Sequence, residues 1–253
     1  MILDQFKLNG KVALVTGAAR GLGQGIALGL AEAGADIVAV DVLGTEDTVA
    51  KVQALGRRAV GVAANLMVTD DIPRILETAV RELGGVDILV NNAGIIRRAP
   101  LLEFSEKDWD DVINLNQRTL FFLSQAVARQ MVAQGRGGKI INIASMLSFQ
   151  GGIRVPSYTA SKSAVMGLTR LLANELGPHG INVNAIAPGY MATDNTAALR
   201  ADQVRNAEIL ARIPAGRWGT PEDLQGTAVF LASAASSYLQ GYTIAVDGGW
   251  LAR

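Results

Sequence analysis

Seven short, near-continuously apolar runs recur along this chain, and room for a helix follows nearly every one. They are Lys11 to Thr16 (KVALVT), Asp36 to Asp41 (DIVAVD), Arg58 to Ala64 (RAVGVAA), Asp87 to Asn92 (DILVNN), Lys139 to Ser145 (KIINIAS), Ile181 to Ala187 (INVNAIA) and Tyr242 to Asp247 (YTIAVD). A strand with one wet face alternates apolar and polar residues, whereas these runs suit strands covered on both faces. Strands of that kind, alternating with helices, predict an α/β fold: a doubly wound, seven-stranded parallel sheet of Rossmann type with helices on both faces. No Pro-, Ser- or charge-rich linker and no solenoid repeat divides the 253 residues, so one domain over 1–253 is expected.

Charge and residue usage narrow the function. Twenty-three basic residues balance 23 acidic ones, which leaves no electrostatic footprint for nucleic acid or an anionic membrane. Cysteine is absent and His179 is the single histidine, so thiol chemistry, disulfides and a nitrogen–sulfur zinc site are excluded and no metal is expected. His179 itself reads as a loop residue ahead of a strand. The start, MILDQFKLNG, lacks the basic and apolar regions of a secretory signal, and no run reaches the ~20 apolar residues of a membrane span. A cytoplasmic protein is expected.

The stretch VTGAARGLGQGIA joins the first strand to the first helix. Gly17, Gly21 and Gly23 permit a tight turn and close backbone approach to a pyrophosphate seated on the helix N-terminus. Strand before, helix after, and an acid about twenty residues on together mark a dinucleotide site. That acid is Asp41, which can accept ribose hydroxyls of NAD and would repel the 2′-phosphate of NADP. Arg20 pulls the other way, since an arginine in the turn can pair with that phosphate. Asp41 takes priority, and NAD is the expected cofactor.

Tyr158 and Lys162 stand four residues apart, on one face of a predicted helix. Alone, such a pair is most often part of an ordinary amphipathic helix. Here Asn91 to Gly94 ends the fourth strand and Ser145 the fifth, both at carboxyl ends beside the cofactor cleft. A free phenol titrates near pH 10, and a neighbouring ammonium lowers that value by stabilising the phenolate. Ser145 can hold the substrate oxygen, and Asn116, on the preceding long helix, can anchor a water relay to Lys162.

With these motifs in place, the chain resembles the short-chain dehydrogenase/reductase family. Thr16 to Gly23 (Thr-Gly-x-x-x-Gly-x-Gly), Asn91 to Gly94, Asn116, Ser145, Tyr158, Lys162 and Pro188-Gly189 fall where that family's motifs lie. The resemblance implies that Tyr158 is the general acid/base, that Lys162 lowers its pKa and binds the nicotinamide ribose, and that Ser145 orients the carbonyl. It implies further cofactor contacts from Leu22, Asn65, Leu66, Asn92, Ala93, Gly94, Pro188, Gly189, Met191 and Thr193. Strand order 3-2-1-4-5-6-7 and a homotetramer are implied likewise. One position departs from the pattern: where the family usually carries an aspartate toward adenine, this chain has Asn65, whose amide oxygen can accept the same hydrogen bond.

The segment 191–214 is polar, weakly helical, and follows the sixth strand's carboxyl end, so a mobile substrate lid is expected there. With the 145–158 loop and the stretch after Gly94 it supplies Arg97, Arg98, Gln150, Arg154 and Asn195 beside Met146, Leu147, Phe149 and Met191. Several donors on a modest apolar lining suit a hydroxylated substrate with a carboxylate, so Arg98, Ser145, Gln150, Arg154, Tyr158 and Asn195 are the expected substrate contacts. Longer segments, including NNAGIIRRAPLLEFSEKDWDDVINLN and GYTIAVDGGWLAR, are similar to sugar-acid dehydrogenases of the family. That similarity implies NAD-dependent hydride transfer at C5 of a six-carbon 2-keto acid in hexuronate breakdown, with gluconate or a polyol as the alternative substrate. A non-catalytic dinucleotide sensor on the same fold is the rival of another class. It would tend to lose Tyr158 or Lys162, and both are present.

Overall fold

A computed structural model describes residues 1–253. All seven predicted strands form: β1 (Val12–Thr16), β2 (Asp36–Asp41), β3 (Ala59–Ala63), β4 (Ile88–Asn91), β5 (Gly138–Ile143), β6 (Ile181–Pro188) and β7 (Thr243–Val246). Their bounds lie within about two residues of those read from the apolar runs. Every pairing is parallel, and the order is β3-β2-β1-β4-β5-β6-β7. Between β1 and β4 the winding reverses, and ligands bind at that crevice beyond the strands' carboxyl ends.

The side chains of β1 show how a parallel strand serves two cores. Ala13 and Val15 join one cluster of 22 buried apolar residues, while Val12 and Leu14 join a second cluster of 22. The first is closed by α1 (Gly21–Glu32), α2 (Glu46–Ala54) and α9 (Glu222–Ala232), through Ile26, Leu30, Val52, Leu224 and Leu231. The second is closed by α3 (Ile72–Leu83), α5 (Leu120–Gln134) and α6 (Pro156–Leu176), through Ile75, Leu123, Val127, Met131 and Leu172. Each fully buried Leu, Ile or Val stabilises the fold by about 1.5–3 kcal/mol relative to exposure. No helix is long and apolar enough to cross a membrane.

Two elements differ from expectation. Asn116 is not within a continuous long helix. It lies in a single π-helical turn (Asn114–Thr119) between α4 (Glu106–Ile113) and α5, a local widening that occurs mostly at functional sites. Segment 191–214 is more helical than its polarity suggested, holding α7 (Ala197–Ala201) and α8 (Gln203–Arg212). Asp202 caps α8 by accepting from Arg205 N at 3.0 Å. Ile209 and Ile213 pack in a separate cluster of four with Met146 and Trp250, and this tertiary contact supplies the stability that propensity did not signal.

Candidate active site

The cofactor turn is stitched to the end of β4. Thr16 Oγ1 accepts from Asn92 N and Ala93 N, both at 3.0 Å, and Asn92 Nδ2 donates to Thr16 O at 2.8 Å and Gly17 O at 3.2 Å. Gly17 sits at φ +66°, where a Cβ would lie 2.7 Å from Asn92 Nδ2, and a Cβ on Gly23 would overlap the Gly17 carbonyl oxygen. The backbone is thereby open at the start of α1, the cradle a pyrophosphate requires. Asp41 is held beside it: its two carboxylate oxygens accept from Ala19 N and Leu43 N, each at 3.0 Å. The Arg20 guanidinium is paired with Asp194 at 2.8 Å, reaching from the turn to the 191–214 segment. Asn65 Oδ1 accepts from Met67 N at 3.0 Å, which leaves that oxygen a second lone pair.

Tyr158 and Lys162 lie on α6, which begins at Pro156, two residues before the tyrosine, with proline in the first turn. The buried Lys162 ammonium donates to Ile143 O at 2.6 Å and stands 5.7 Å from the centre of the Tyr158 ring. Burial lowers Lys162 to about 8. It also pushes the Tyr158 phenol up, against a hydrogen bond with Ser145 and the charge of Arg98, which both pull it down. Two groups thus oppose burial at the phenol, the Ser145 hydrogen bond and the Arg98 charge, while the Lys162 ammonium is directed at the Ile143 carbonyl. The phenol carries its proton at neutral pH, the state a donor needs. Ser145, buried two residues past β5, accepts from Leu147 N at 3.1 Å.

Two further serines position this group. Ser148 Oγ accepts from Ser145 N at 3.3 Å and donates to Lys162 O at 2.6 Å, tying the loop to α6. Ser161 Oγ donates to Tyr158 O at 2.9 Å and accepts from Asn116 Nδ2 at 3.2 Å. Asn116 also exchanges both amide hydrogen bonds with the Ile95 backbone, at 2.9 and 3.0 Å. Ser161 adjoins Lys162 in sequence, so a buried hydroxyl there was detectable, whereas Ser148 carried no signal until the loop closed.

One cavity of about 1390 Å³ is lined by every predicted cofactor and substrate residue, and by Ser145, Tyr158 and Lys162. Asn116 is absent from the lining, lying buried, and Phe149, expected among the apolar lining, is absent too, its ring turned out to solvent. Pockets for a single small ligand span roughly 300–1,000 Å³, so this larger cavity has room for a dinucleotide and a second molecule. Arg97, one of the expected donors, is neutralised by Asp108 and Asp111 at 3.4 and 3.5 Å. Arg98 makes only a 3.4 Å bond to Asn195 O. Arg154 has no carboxylate partner and is the one non-glycine residue at positive φ, +64°. Backbone strain of this kind concentrates at ligand clamps. The structure adds Arg205, Arg212 and Trp250 to the lining, residues no sequence motif marks.

A phenol donor, a buried ammonium and a serine, beside a glycine cradle at the switch point of a parallel sheet, define a dinucleotide-dependent oxidoreductase. Comparison with known proteins agrees. The family described as enoyl-(acyl carrier protein) reductase matches residues 17–251. The chain is 68% identical, over the whole of both chains, to 2-dehydro-3-deoxy-D-gluconate 5-dehydrogenase of Escherichia coli K12. It is 46% identical to gluconate 5-dehydrogenase of Gluconobacter oxydans, over 97% of this chain and 96% of that one. A crystal structure of an Agrobacterium tumefaciens protein with bound NADP superposes with a TM-score of 0.91 at 55% identity, covering 99% of this chain and all of the other. The chain belongs to the short-chain dehydrogenase/reductase family.

Proposed function

We propose that the protein interconverts 2-dehydro-3-deoxy-D-gluconate and 3-deoxy-D-glycero-2,5-hexodiulosonate, by hydride transfer at C5, with NAD as cofactor. One observation carries the substrate class: guanidinium groups without carboxylate partners rim a cavity floored by Ser145 and Tyr158. Full-length likeness at 68% to a 2-dehydro-3-deoxy-D-gluconate 5-dehydrogenase, against 46% for a gluconate 5-dehydrogenase, supports the particular acid. The bound nicotinamide supplies or accepts the hydride. Tyr158 gives its phenolic proton to the C5 oxygen on reduction and takes it back on oxidation, while Ser145 holds that oxygen. Lys162 supports the phenolate and grips the nicotinamide ribose, and Asn116 anchors a water relay toward it.

NAD is favoured because the Asp41 carboxylate is held beside the turn, where it would repel a 2′-phosphate, while Arg20 is engaged by Asp194 and its charge is offset. Segment 191–214 serves as a lid: Met191 anchors its start in the first main core, while Ile209 and Ile213 pack in a small separate cluster with Met146 and Trp250. The protein acts as a cytoplasmic homotetramer. Two exposed apolar groups support two kinds of two-fold contact: Leu101, Leu102, Trp109 and Phe122 around α4 and α5, and Leu171, Tyr238 and Tyr242 beside edge strand β7.

The deciding experiment compares initial rates on 2-dehydro-3-deoxy-D-gluconate and D-gluconate with NAD. Higher kcat/KM on the deoxy keto acid is expected, and a preference for gluconate would reassign the protein to the second activity. Arg98→Met and Arg154→Met test the carboxylate contact. At least one should lower the preference for the acid over a neutral ketose about ten- to hundredfold, since charged hydrogen bonds contribute roughly 1.5–3 kcal/mol. If neither variant nor the double variant does so, the carboxylate is held elsewhere.

A further inference from the structure

The cavity lining carries a cation that the proposed reaction leaves unused. Arg212, the last residue of α8, lays its guanidinium over the Trp250 ring, 4.0 Å from the centroid. It makes one side-chain hydrogen bond, from Nη2 to Gln150 Oε1 at 3.2 Å. Arg20, Arg97 and Arg205, also in the lining, are each within ion-pair distance of a carboxylate, whereas Arg212 is not. Trp250 is buried, so the surface beneath the guanidinium is fixed. The backbone is fixed as well: the Arg253 side chain donates to the carbonyls of Arg212 and Ala211, capping the end of α8.

A guanidinium carries five N–H donors in a planar fork and stays charged at every accessible pH. Here one face is stacked and one donor is used. The rest of the fork is therefore held ready with little rotamer freedom left to lose, which suits a planar carboxylate. The site is also placed to couple binding to closure. Ile209, one turn back on α8, and Ile213, just past its end, pack on Met146 and Trp250, and Met146 follows the catalytic Ser145 directly.

We propose that Arg212 is a specificity-determining residue that takes the substrate's carboxylate from the end of α8. An acid then holds α8 against the Met146–Trp250 wall, and a neutral ketose does not, because only the acid interacts differently with the two positions of the lid. This rests on the sugar-acid reading given above.

Two readouts test it. The first is the ratio of kcat/KM for 2-dehydro-3-deoxy-D-gluconate to that for a neutral ketose. The second, independent of turnover, is calorimetric binding of D-gluconate to the NADH complex, where an alcohol and a reduced cofactor cannot react. Arg212→Met keeps an apolar stem over Trp250 and should lower the ratio and weaken gluconate binding roughly ten- to hundredfold, leaving NADH affinity as in the wild type. Trp250→Phe, which keeps the packing but weakens the stack, should move both in the same direction by a few-fold. If the wild type turns the acid over and Arg212→Met matches it in both readouts, Arg212 has no such role. If the wild type oxidises no sugar acid yet Arg212→Met still weakens gluconate binding, the substrate assignment fails and the carboxylate site stands. If gluconate does not bind the wild type, the kcat/KM ratio alone decides, and an Arg212→Met ratio equal to the wild type's removes the role.

Discussion

Tyr158 and Lys162 are both shifted toward their neutral forms in the free protein, and two predictions follow from that environment. Tyr158→Phe removes the proton donor and little else. Fold and NADH affinity should persist while turnover falls 10²–10⁴-fold, the usual contribution of a positioned acid. Retention of more than about a tenth of wild-type kcat would remove Tyr158 from that role. Lys162→Met should lose turnover and cofactor affinity, but its stability should depend on pH in a defined sense. With a folded value of about 8 against an ordinary 10.5, the unfolded chain holds the extra proton between those limits. Wild-type stability therefore rises relative to the variant from about pH 8 to 10.5, by on the order of 3 kcal/mol. Below pH 8 the wild type carries the full cost of a buried ammonium, offset by its bond to Ile143 O. Urea denaturation of both proteins at pH 7 and 10 measures this, and a constant difference would contradict it.

At the scale of elements, the informative junction is between the turn that opens α1 and the segment 191–214. Strand before, glycines within and helix after made the turn legible from sequence, because each of those signals is local. The pairing of Arg20 with Asp194 was not legible, since the partners lie 174 positions apart and meet only when the segment that follows β6 reaches back across the strands' carboxyl ends to the turn after β1. Asp194→Asn should free Arg20 for a 2′-phosphate and lower the NADH-to-NADPH ratio of kcat/KM about two- to fivefold, the range of an exposed ion pair. Asp41→Ala should lower it further or reverse it. An unchanged ratio in Asp194→Asn would detach the lid from cofactor choice. Added salt should diminish the Asp194 effect more than the Asp41 effect, because the Arg20–Asp194 pair is exposed.

For the whole molecule, β7 ends the sheet with an edge, and large apolar side chains stay exposed near it and around α4. In a homotetramer each group is covered by its own two-fold contact. Leu102→Asp should then split the assembly across one contact and Tyr238→Asp across the other, each leaving dimers in sedimentation equilibrium. A wild type that sediments as a monomer would remove the homotetramer altogether. Either substitution leaving a wild-type tetramer intact would remove that patch from the interface.

The sequence alone determined the parallel sheet, its seven strands, the dinucleotide turn and the line of Ser145, Tyr158 and Lys162. Those features rest on local periodicity, on backbone freedom at a few glycines, and on i, i+4 spacing along one helix, all written within short stretches of chain. Tertiary structure decided which of the cavity's arginines are free. Arg97 was expected among the substrate donors until Asp108 and Asp111 came within reach of it. Arg212 was unmarked until Trp250 came beneath it, from 38 positions further along the chain. A guanidinium's availability depends on which carboxylates and rings approach it, and such approaches arise only when distant segments pack together.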